Sequence, residues 1–285
     1  MEIKPMKCDA AVMIPLLIIA VIGCSKPQSE TPTKDETRIV SLAPNVTEIL
    51  FALGLMDSIV GVTQFCNYPA KAKELPKIGG YIDPDIERIL SLRPTMVIGI
   101  GEVEPHKTVC DKLSSKNIKT VLVREKDIAS LYEAIKTIGT ACGVAERAER
   151  LITEIKKRLD DIRERASEKK KQRALFLCGV DPLVAVGTTS FINELMRICG
   201  AENVITEARD YLPIDIERVV AGKPNVIIQI TMGTEKISDD FWQRYAELIP
   251  AVKSNRIVSV DADLFTRCGP RIPDACEELF KALHK

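Results

Sequence analysis

Residues 144–171 read VAERAERLITEIKKRLDDIRERASEKKK. Apolar residues fall at Val144, Ala148, Leu151, Ile155, Leu159, Ile162 and Ala166, at steps of three and four, and nearly everything between them is charged. That spacing predicts one long helix with a narrow apolar stripe. At 1.5 Å per residue it would reach about 40 Å, roughly the length of a domain. The stripe is short for a coiled-coil seam. It reads instead as a strut across two lobes of a monomer.

On both sides of this helix, short apolar strands alternate with helical patterns. Before it, strands are expected at Arg38–Leu42, Ser58–Val62, Thr95–Ile100 and Lys119–Val123. Helices are expected at Asn45–Leu53, stopped by Gly54, at Ser130–Cys142, and from Asp83-Pro84, with Asp as N-cap and Pro at the first position. After it come strands at Ala174–Cys178, Val184–Val186, Asn225–Ile230 and Ile257–Val260. Helices are expected there at Ser190–Cys199, Asp215–Ala221, Asp239–Leu248 and Arg271–Ala282. This alternation means an α/β fold of parallel sheets covered by helices. The expected division is an N-terminal lobe over 38–143, a linker helix over 144–171 and a C-terminal lobe over 172–285.

The second half echoes the first. Asp85-Ile86-Glu87-Arg88-Ile89 precedes Arg93-Pro94 and the strand Thr95-Met96-Val97-Ile98, and Asp215-Ile216-Glu217-Arg218-Val219 precedes Lys223-Pro224 and Asn225-Val226-Ile227-Ile228. Glu48 stands six residues before Gly54, and Glu194 six before Gly200. Two copies make a duplicated domain, with an insertion in the first around Gly61–Leu75, and not a solenoid.

Composition narrows the function. Forty Lys and Arg balance forty Asp and Glu, which argues against a protein held by nucleic-acid phosphates. With two histidines, His106 and His284, a His-rich metal site is excluded and a direct metal-ion binder is disfavoured. No GxGxxG or Walker sequence follows the first strand, where Ser41-Leu42-Ala43-Pro44 stands instead, and there is no GxSxG, so an enzyme such as a chelatase or an oxidoreductase has little support.

The start of the chain reads as an address. Met1–Lys7 is basic and Ala10–Gly23 carries no charge, too short a run to span a bilayer. The segment ends Val21-Ile22-Gly23-Cys24, and Ser25–Thr37 is a polar spacer. Residues 1–23 are therefore expected to be a signal peptide and 24–37 a flexible tether. Val21–Cys24 resembles a lipoprotein lipobox, which makes Cys24 the lipid anchor. A diacylated, N-acylated cysteine holds a protein stably on a membrane, here the outer face of the cytoplasmic membrane or the periplasm. Of nine cysteines, Cys8 leaves with the signal and Cys24 carries lipid. No CxxC spacing occurs among the other seven, so a zinc ribbon or iron–sulfur cluster has no basis. Cys142, Cys178 and Cys199 read as small buried hydrophobes. The one disulfide expected pairs Cys199 with Cys276.

The repeated positions carry the candidate chemistry. Glu87 and Glu217 fall off the apolar stripe of their helices, in the first turn. Singly, each suits the helix dipole. As a pair related by the repeat, they suggest two carboxylates presented to a two-fold partner with arginine pockets. Tyr81 and Tyr211 stand six residues before them, in loops that either pack over their own lobe or line a ligand crevice. Two aromatics across a cleft suit a large, flat ligand.

Five motifs occur in order: RIVSLAPNVTE at 38–48, GVTQFCNYP at 61–69, KIGG at 77–80, DIER at 85–88 and GPRIPDA at 269–275. Over Arg38–His284 the chain resembles the class III periplasmic substrate-binding proteins of ABC importers for cobalamin, ferric siderophores and haem, with the cobalamin binders nearest through Phe65–Pro69. The resemblance implies two Rossmann-like lobes joined by a single long helix, with the ligand between them. It implies that Ala43, Pro44, Asn45, Phe65, Tyr81, Phe191, Tyr211, Asp263 and Arg267 receive the ligand, and that Glu87 and Glu217 dock onto the permease dimer. No catalytic residue, metal site or resident cofactor is implied. The cargo is a metal-chelate, first a corrinoid, with ferric siderophore or haem as the alternative. Tyr81 and Tyr211 stand where cobalamin binders often use tryptophan, Cys268 where proline is common, and Arg267 and Arg271 read either as partners for ligand carboxylates or as surface and helix-start residues.

Overall fold

The computed structural model describes Met1, Glu2, residues 37–231 and residues 237–285. Residues 3–36, which hold most of the expected leader, Cys24 and most of the spacer, lie outside this set. The chain divides into Met1–Glu36 and Thr37–Lys285, and the second unit contains every element below. Among the described residues no helix is long and apolar enough to cross a membrane.

The first sheet is built from β1 (Ile39–Ser41), β2 (Ile59–Val62), β3 (Met96–Ile100) and β4 (Lys119–Val123) in the order β2-β1-β3-β4, with every pairing parallel. Its helices are α1 (Pro44–Ala52), α2 (Ile86–Ser91), α3 (Glu104–Ser114) and α4 (Ile128–Ala141). All five residues of β3 are buried, as expected of a central parallel strand covered on both faces. Helix α5 (Ala145–Ser167) follows, 23 residues and about 35 Å long. It ends four residues short of the expected Lys171, where four consecutive charged residues Glu168–Lys171 offer nothing to bury.

The second sheet contains β5 (Gln172–Val180), β6 (Leu183–Val186), β7 (Ala201–Asn203), β8 (Tyr211–Pro213), β9 (Val226–Thr231) and β10 (Ile257–Asp261). Its order is β10-β9-β5-β6-β8, with β7 beside β5. Strands β10, β9, β5 and β7 are parallel, but β5-β6 and β6-β8 are antiparallel. The purely parallel second sheet expected from strand–helix alternation is thus corrected. Only Asp181 and Pro182 separate β5 from β6, which allows a hairpin and leaves no room for a crossover. Its helices are α6 (Phe191–Ile198), α7 (Ile216–Gly222), the short α8 (Asp239–Gln243), α9 (Pro250–Lys253) and α10 (Ala262–Phe265), and the C-terminal α11 (Ile272–His284).

The duplication is visible in the backbone. Gly54 and Gly200, just past α1 and α6, have φ of 70° and 80°. Arg93 and Lys223, each before a proline that leads into a strand, have φ of 47° and 43°, a left-handed conformation that costs an L-residue about 1–2 kcal/mol. Both halves retain the same strained corner.

Helix α2 starts two residues later than expected. The Asp85 N–H donates to Ile78 O (2.8 Å) and Gly79 bridges Pro84, so the chain is still a tight loop at Pro84. Gly79 permits this with φ 102°, where a Cβ would meet Asp83 O at 2.6 Å. Asp85, not Asp83, is the N-cap, and its carboxylate accepts from Arg88 N; Asp215 does the same for Arg218 N in α7.

Of the expected stripe, Ala148, Ile155, Leu159, Ile162 and Ala166 are buried, while Ile152 is buried in place of the half-buried Leu151 and Val144 is the half-buried N-cap; each large aliphatic side chain contributes about 1.5–3 kcal/mol. The helix packs on α4 from the first half and on α6 and α11 from the second. One apolar cluster therefore runs from Ile39 and Ile98 through Ile155 to Leu195 and Leu279. The cysteine pairing is corrected too: all seven described cysteines are free, and the Cys199 thiol donates to the carbonyl of Cys276 (3.2 Å) instead of bonding its sulfur.

Candidate functional site

In parallel α/β sheets ligands lie beyond the carboxyl ends of the strands. At that end a cavity of about 680 Å³ opens between residues of the two halves. Pro44 and Asn45 reach it from the start of α1, and Phe65 from the loop after β2. Tyr81 enters from the loop before α2, Phe191 from the first turn of α6, and Tyr211 from β8. Asp263 and Arg267 come from α10 and the loop after it. Of the nine residues implied for the ligand, these eight share one cavity. Ala43 does not line it. It is fully buried as the residue before α1, its side chain turned into the core.

Tyr81 is positioned by His106 of α3. The His106 Nδ1 accepts from Ile100 N (3.0 Å), so Nε2 carries the proton and donates to Tyr81 O (2.7 Å). Burial pushes the imidazole pKa down, which keeps it neutral. The two rings meet edge to face at 4.9 Å. His106 is a structural histidine that aims an aromatic side chain into the cleft. Tyr211 is half exposed and pairs with Val186 across β6-β8, so it sits on a strand and not on a free loop. Burial pushes both tyrosine hydroxyls above their ordinary pKa, and for Tyr81 the carboxylate of Glu125 adds to it. Neither is disposed to become a phenolate.

The arginines are occupied. Arg271 holds Glu48 through two bonds, Nε to Oε2 at 2.8 Å and Nη2 to Oε1 at 2.7 Å, and stacks on Tyr68 at 4.1 Å. Arg267 donates to Glu48 (3.2 Å), Asn67 (2.8 Å), Phe65 O (3.2 Å) and Asp263 (2.6 Å). Asn67 in turn donates to Asp263 (2.5 Å). Glu48, Phe65 and Asn67 belong to the first half and Asp263, Arg267 and Arg271 to the second, so this network ties the floor of the cleft together. Arg267 faces the cavity with its charge already matched.

The cavity holds further polar residues that no motif in the sequence marks: Glu102, Arg124, Glu125, Lys126, Ser190, Asp210 and Thr266. Glu102 follows β3, and Arg124 to Lys126 follow β4. Charged residues directly after an apolar parallel strand were the available signal. Arg124 pairs with Glu102 at 3.0 Å. Burial, opposed by the Cys268 amide and reinforced by Glu102, pushes the Glu125 carboxyl up to about 7.

Glu87 and Glu217 lie outside the cavity. Each is the second residue of its helix, exposed, and without an ion pair among the described residues. Among the described residues no cluster of His, Cys, Asp or Glu is arranged to hold a metal ion.

The model of the periplasmic binding protein family matches residues 39–264, which is most of the described chain. The chain belongs to the periplasmic binding protein family. The ABC transporter substrate-binding lipoprotein YvrC of Bacillus subtilis is 31% identical over 263 residues, covering 90% of this chain and 83% of that one. The vitamin B12-binding protein of Vibrio parahaemolyticus is 26% identical, covering 85% and 87%. Among solved structures, the apo periplasmic haem-binding protein RhuT of Roseiflexus sp. RS-1 superposes with a TM-score of 0.76 at 27% identity, over 87% of this chain and 98% of that one. The vitamin B12-binding protein BtuF of Vibrio cholerae gives 0.74 at 25% identity, over 86% and 96%. In this binding protein, as in the class III members, two α/β halves meet at a single long helix.

Proposed function

We propose that this protein captures a corrinoid, cobalamin or a close relative, outside the cytoplasm and delivers it to the permease dimer of an ABC importer, without catalysing a reaction. It works as a monomer held on the outer face of the membrane by lipid on Cys24, with Glu87 and Glu217 as the two docking points. The observation that carries the cargo is the lining of the cleft. Phe65, Tyr81, Phe191 and Tyr211 supply aromatic surface on both sides, while Arg267 is neutralised by Glu48 and Asp263. A corrinoid is large and apolar on its faces, rimmed by neutral amides, and brings its metal already chelated. The vitamin B12-binding relatives support this reading.

A second reading keeps the same transport role with haem or a ferric siderophore as cargo. It rests on Arg124 and Lys126 at the cleft and on the likeness to a haem-binding protein. Against haem held by tyrosine stands the Glu125 carboxyl beside the Tyr81 hydroxyl, which disfavours the phenolate an iron ligand needs.

Calorimetric titration of the soluble domain with cyanocobalamin, haemin and ferric siderophores tests the proposal. Submicromolar binding of cyanocobalamin alone is expected. Submicromolar binding of haemin or a ferric siderophore alone would transfer the cargo to the second reading, and binding of none would sink both.

A further inference from the structure

Several of the charges around the cleft already have partners. Arg124 is matched by Glu102, and Arg267 by Glu48 and Asp263. The carboxylate of Asp210 accepts from the Thr189 hydroxyl (2.5 Å). Besides Asp210, two charges of the lining have no ion pair among the described residues: Lys126, which is exposed, and Glu125, which is half-buried. Glu125 is the one held away from water. It sits two residues past the end of β4 on the cavity wall and forms no ion pair among the described residues. The Tyr81 hydroxyl and the Cys268 amide face its carboxyl. A carboxylate offers about four lone-pair sites, so two donors leave about half of its accepting capacity unused, on a side chain that lines the ligand cavity.

Resting on the corrinoid reading above, we propose that Glu125 is the residue that selects the cargo, accepting N–H donors from the carboxamide rim of a neutral ligand and repelling the carboxylates of an anionic one. An unused acceptor on a half-buried side chain gains most from a donor that arrives with the ligand, because the occupied cleft leaves it little water to bind instead. A ligand that brings its own carboxylates offers no donor and adds like-charge repulsion. The aromatic walls accept any flat macrocycle, so the choice between an amide rim and an acid rim falls to the half-buried, unpaired carboxyl on the cavity wall.

The effect depends on pH. Glu125 titrates near 7, and it is faced by Tyr81 before α2, Glu102 after β3, Tyr211 of β8, and Arg267 and Cys268 after α10, with Arg124 and Lys126 beside it in the chain. Tyr81, Tyr211 and Cys268 are all pushed up, away from this range. Preference for the amide rim therefore strengthens between pH 5.5 and pH 8, as Glu125 ionises.

The test is calorimetry of the wild-type protein, Glu125→Gln and Glu125→Asp with cyanocobalamin and with haemin, at pH 5.5 and 8, on samples whose circular dichroism shows the native fold. At pH 8, Glu125→Gln is expected to weaken cyanocobalamin about tenfold and to tighten haemin. Glu125→Asp is expected to keep the wild-type order. The wild-type affinity for cyanocobalamin should rise with pH and the Glu125→Gln affinity should not. Equal effects on both ligands, or a pH slope that survives in Glu125→Gln, would overturn the role of Glu125. A wild-type protein that binds haemin and not cyanocobalamin overturns the corrinoid cargo but not the selector, which then still requires haemin to tighten in Glu125→Gln. Binding of neither ligand overturns both.

Discussion

Glu48 and Arg271 are joined by two parallel hydrogen bonds of 2.8 and 2.7 Å, and the Glu48 side chain is 2% exposed. The bond crosses from α1 in the first half to the start of α11 in the second. The repeat-related glutamate makes the mirror connection: Glu194 of α6 accepts from Ile128 N at the start of α4 (3.1 Å). Two glutamates, equivalent by duplication, each reach across the seam to the other half.

Removing the buried carboxylate should be costly. Glu48→Gln leaves two guanidinium groups at the cleft floor without their shared counter-charge, and loss of one partner of a buried pair costs about 3–5 kcal/mol. Urea unfolding is expected to show that loss, and a variant within 1 kcal/mol of wild type would show that solvent screens the pair.

Lobe closure should be small. Bending a continuous α5 breaks backbone hydrogen bonds, the apolar core runs through both halves, and the two glutamate contacts pin the seam on either side. Solution scattering with and without ligand should give nearly superimposable curves. A marked decrease in radius of gyration on binding would contradict this.

Docking should be separable from binding. Glu87→Lys and Glu217→Lys, both on exposed first turns outside the cavity, are expected to abolish transport in cells while leaving ligand affinity unchanged. Reduced affinity in either variant would place that residue in ligand binding.

Stability should respond to Glu125 in a defined direction. Its folded pKa, about 7, lies above the ordinary carboxylate value. The folded state then binds more protons than the unfolded one between about pH 4.5 and 7, so this group's contribution is fully present below that window and is lost as pH rises through it. Glu125→Gln removes the titration. Relative to wild type it should gain stability from pH 5 to pH 8, by at most about 3 kcal/mol, in urea unfolding at the two values. An unchanged difference would show that the carboxyl ionises normally in the fold.

Disruption of the His106 relay should be felt at the cleft. His106→Phe keeps the ring but strands Ile100 N and Tyr81 O, and each unpaired buried group costs about 1–3 kcal/mol. Lower thermal stability with weakened ligand binding is expected. Intact binding in a destabilised variant would mean that Tyr81 is held in place by its other neighbours.

Much of the fold lies in local pattern. The α5 stripe, the repeated Asp-Ile-Glu-Arg helices and the apolar strands are recorded at short range, because burial of one helix face or one strand dictates its own periodicity. The β5-β6 hairpin and the late start of α2 escaped that logic, since a two-residue connection and a Gly79–Pro84 bridge override the strand–helix count and the Asp-Pro signal. The resemblance supplied eight of the residues that line the cavity. Which charges in the cleft are free was beyond any spacing rule. Arg267 looks available in sequence and is consumed by Asp263 four residues before it and by Glu48, Phe65 and Asn67 some 200 positions away, while Glu125, an ordinary strand-end acid, has no ion pair among the described residues. Ion pairing depends on distances between side chains that only the packed chain sets, and the desolvation that moves the Glu125 carboxyl exists only once the two halves close around it.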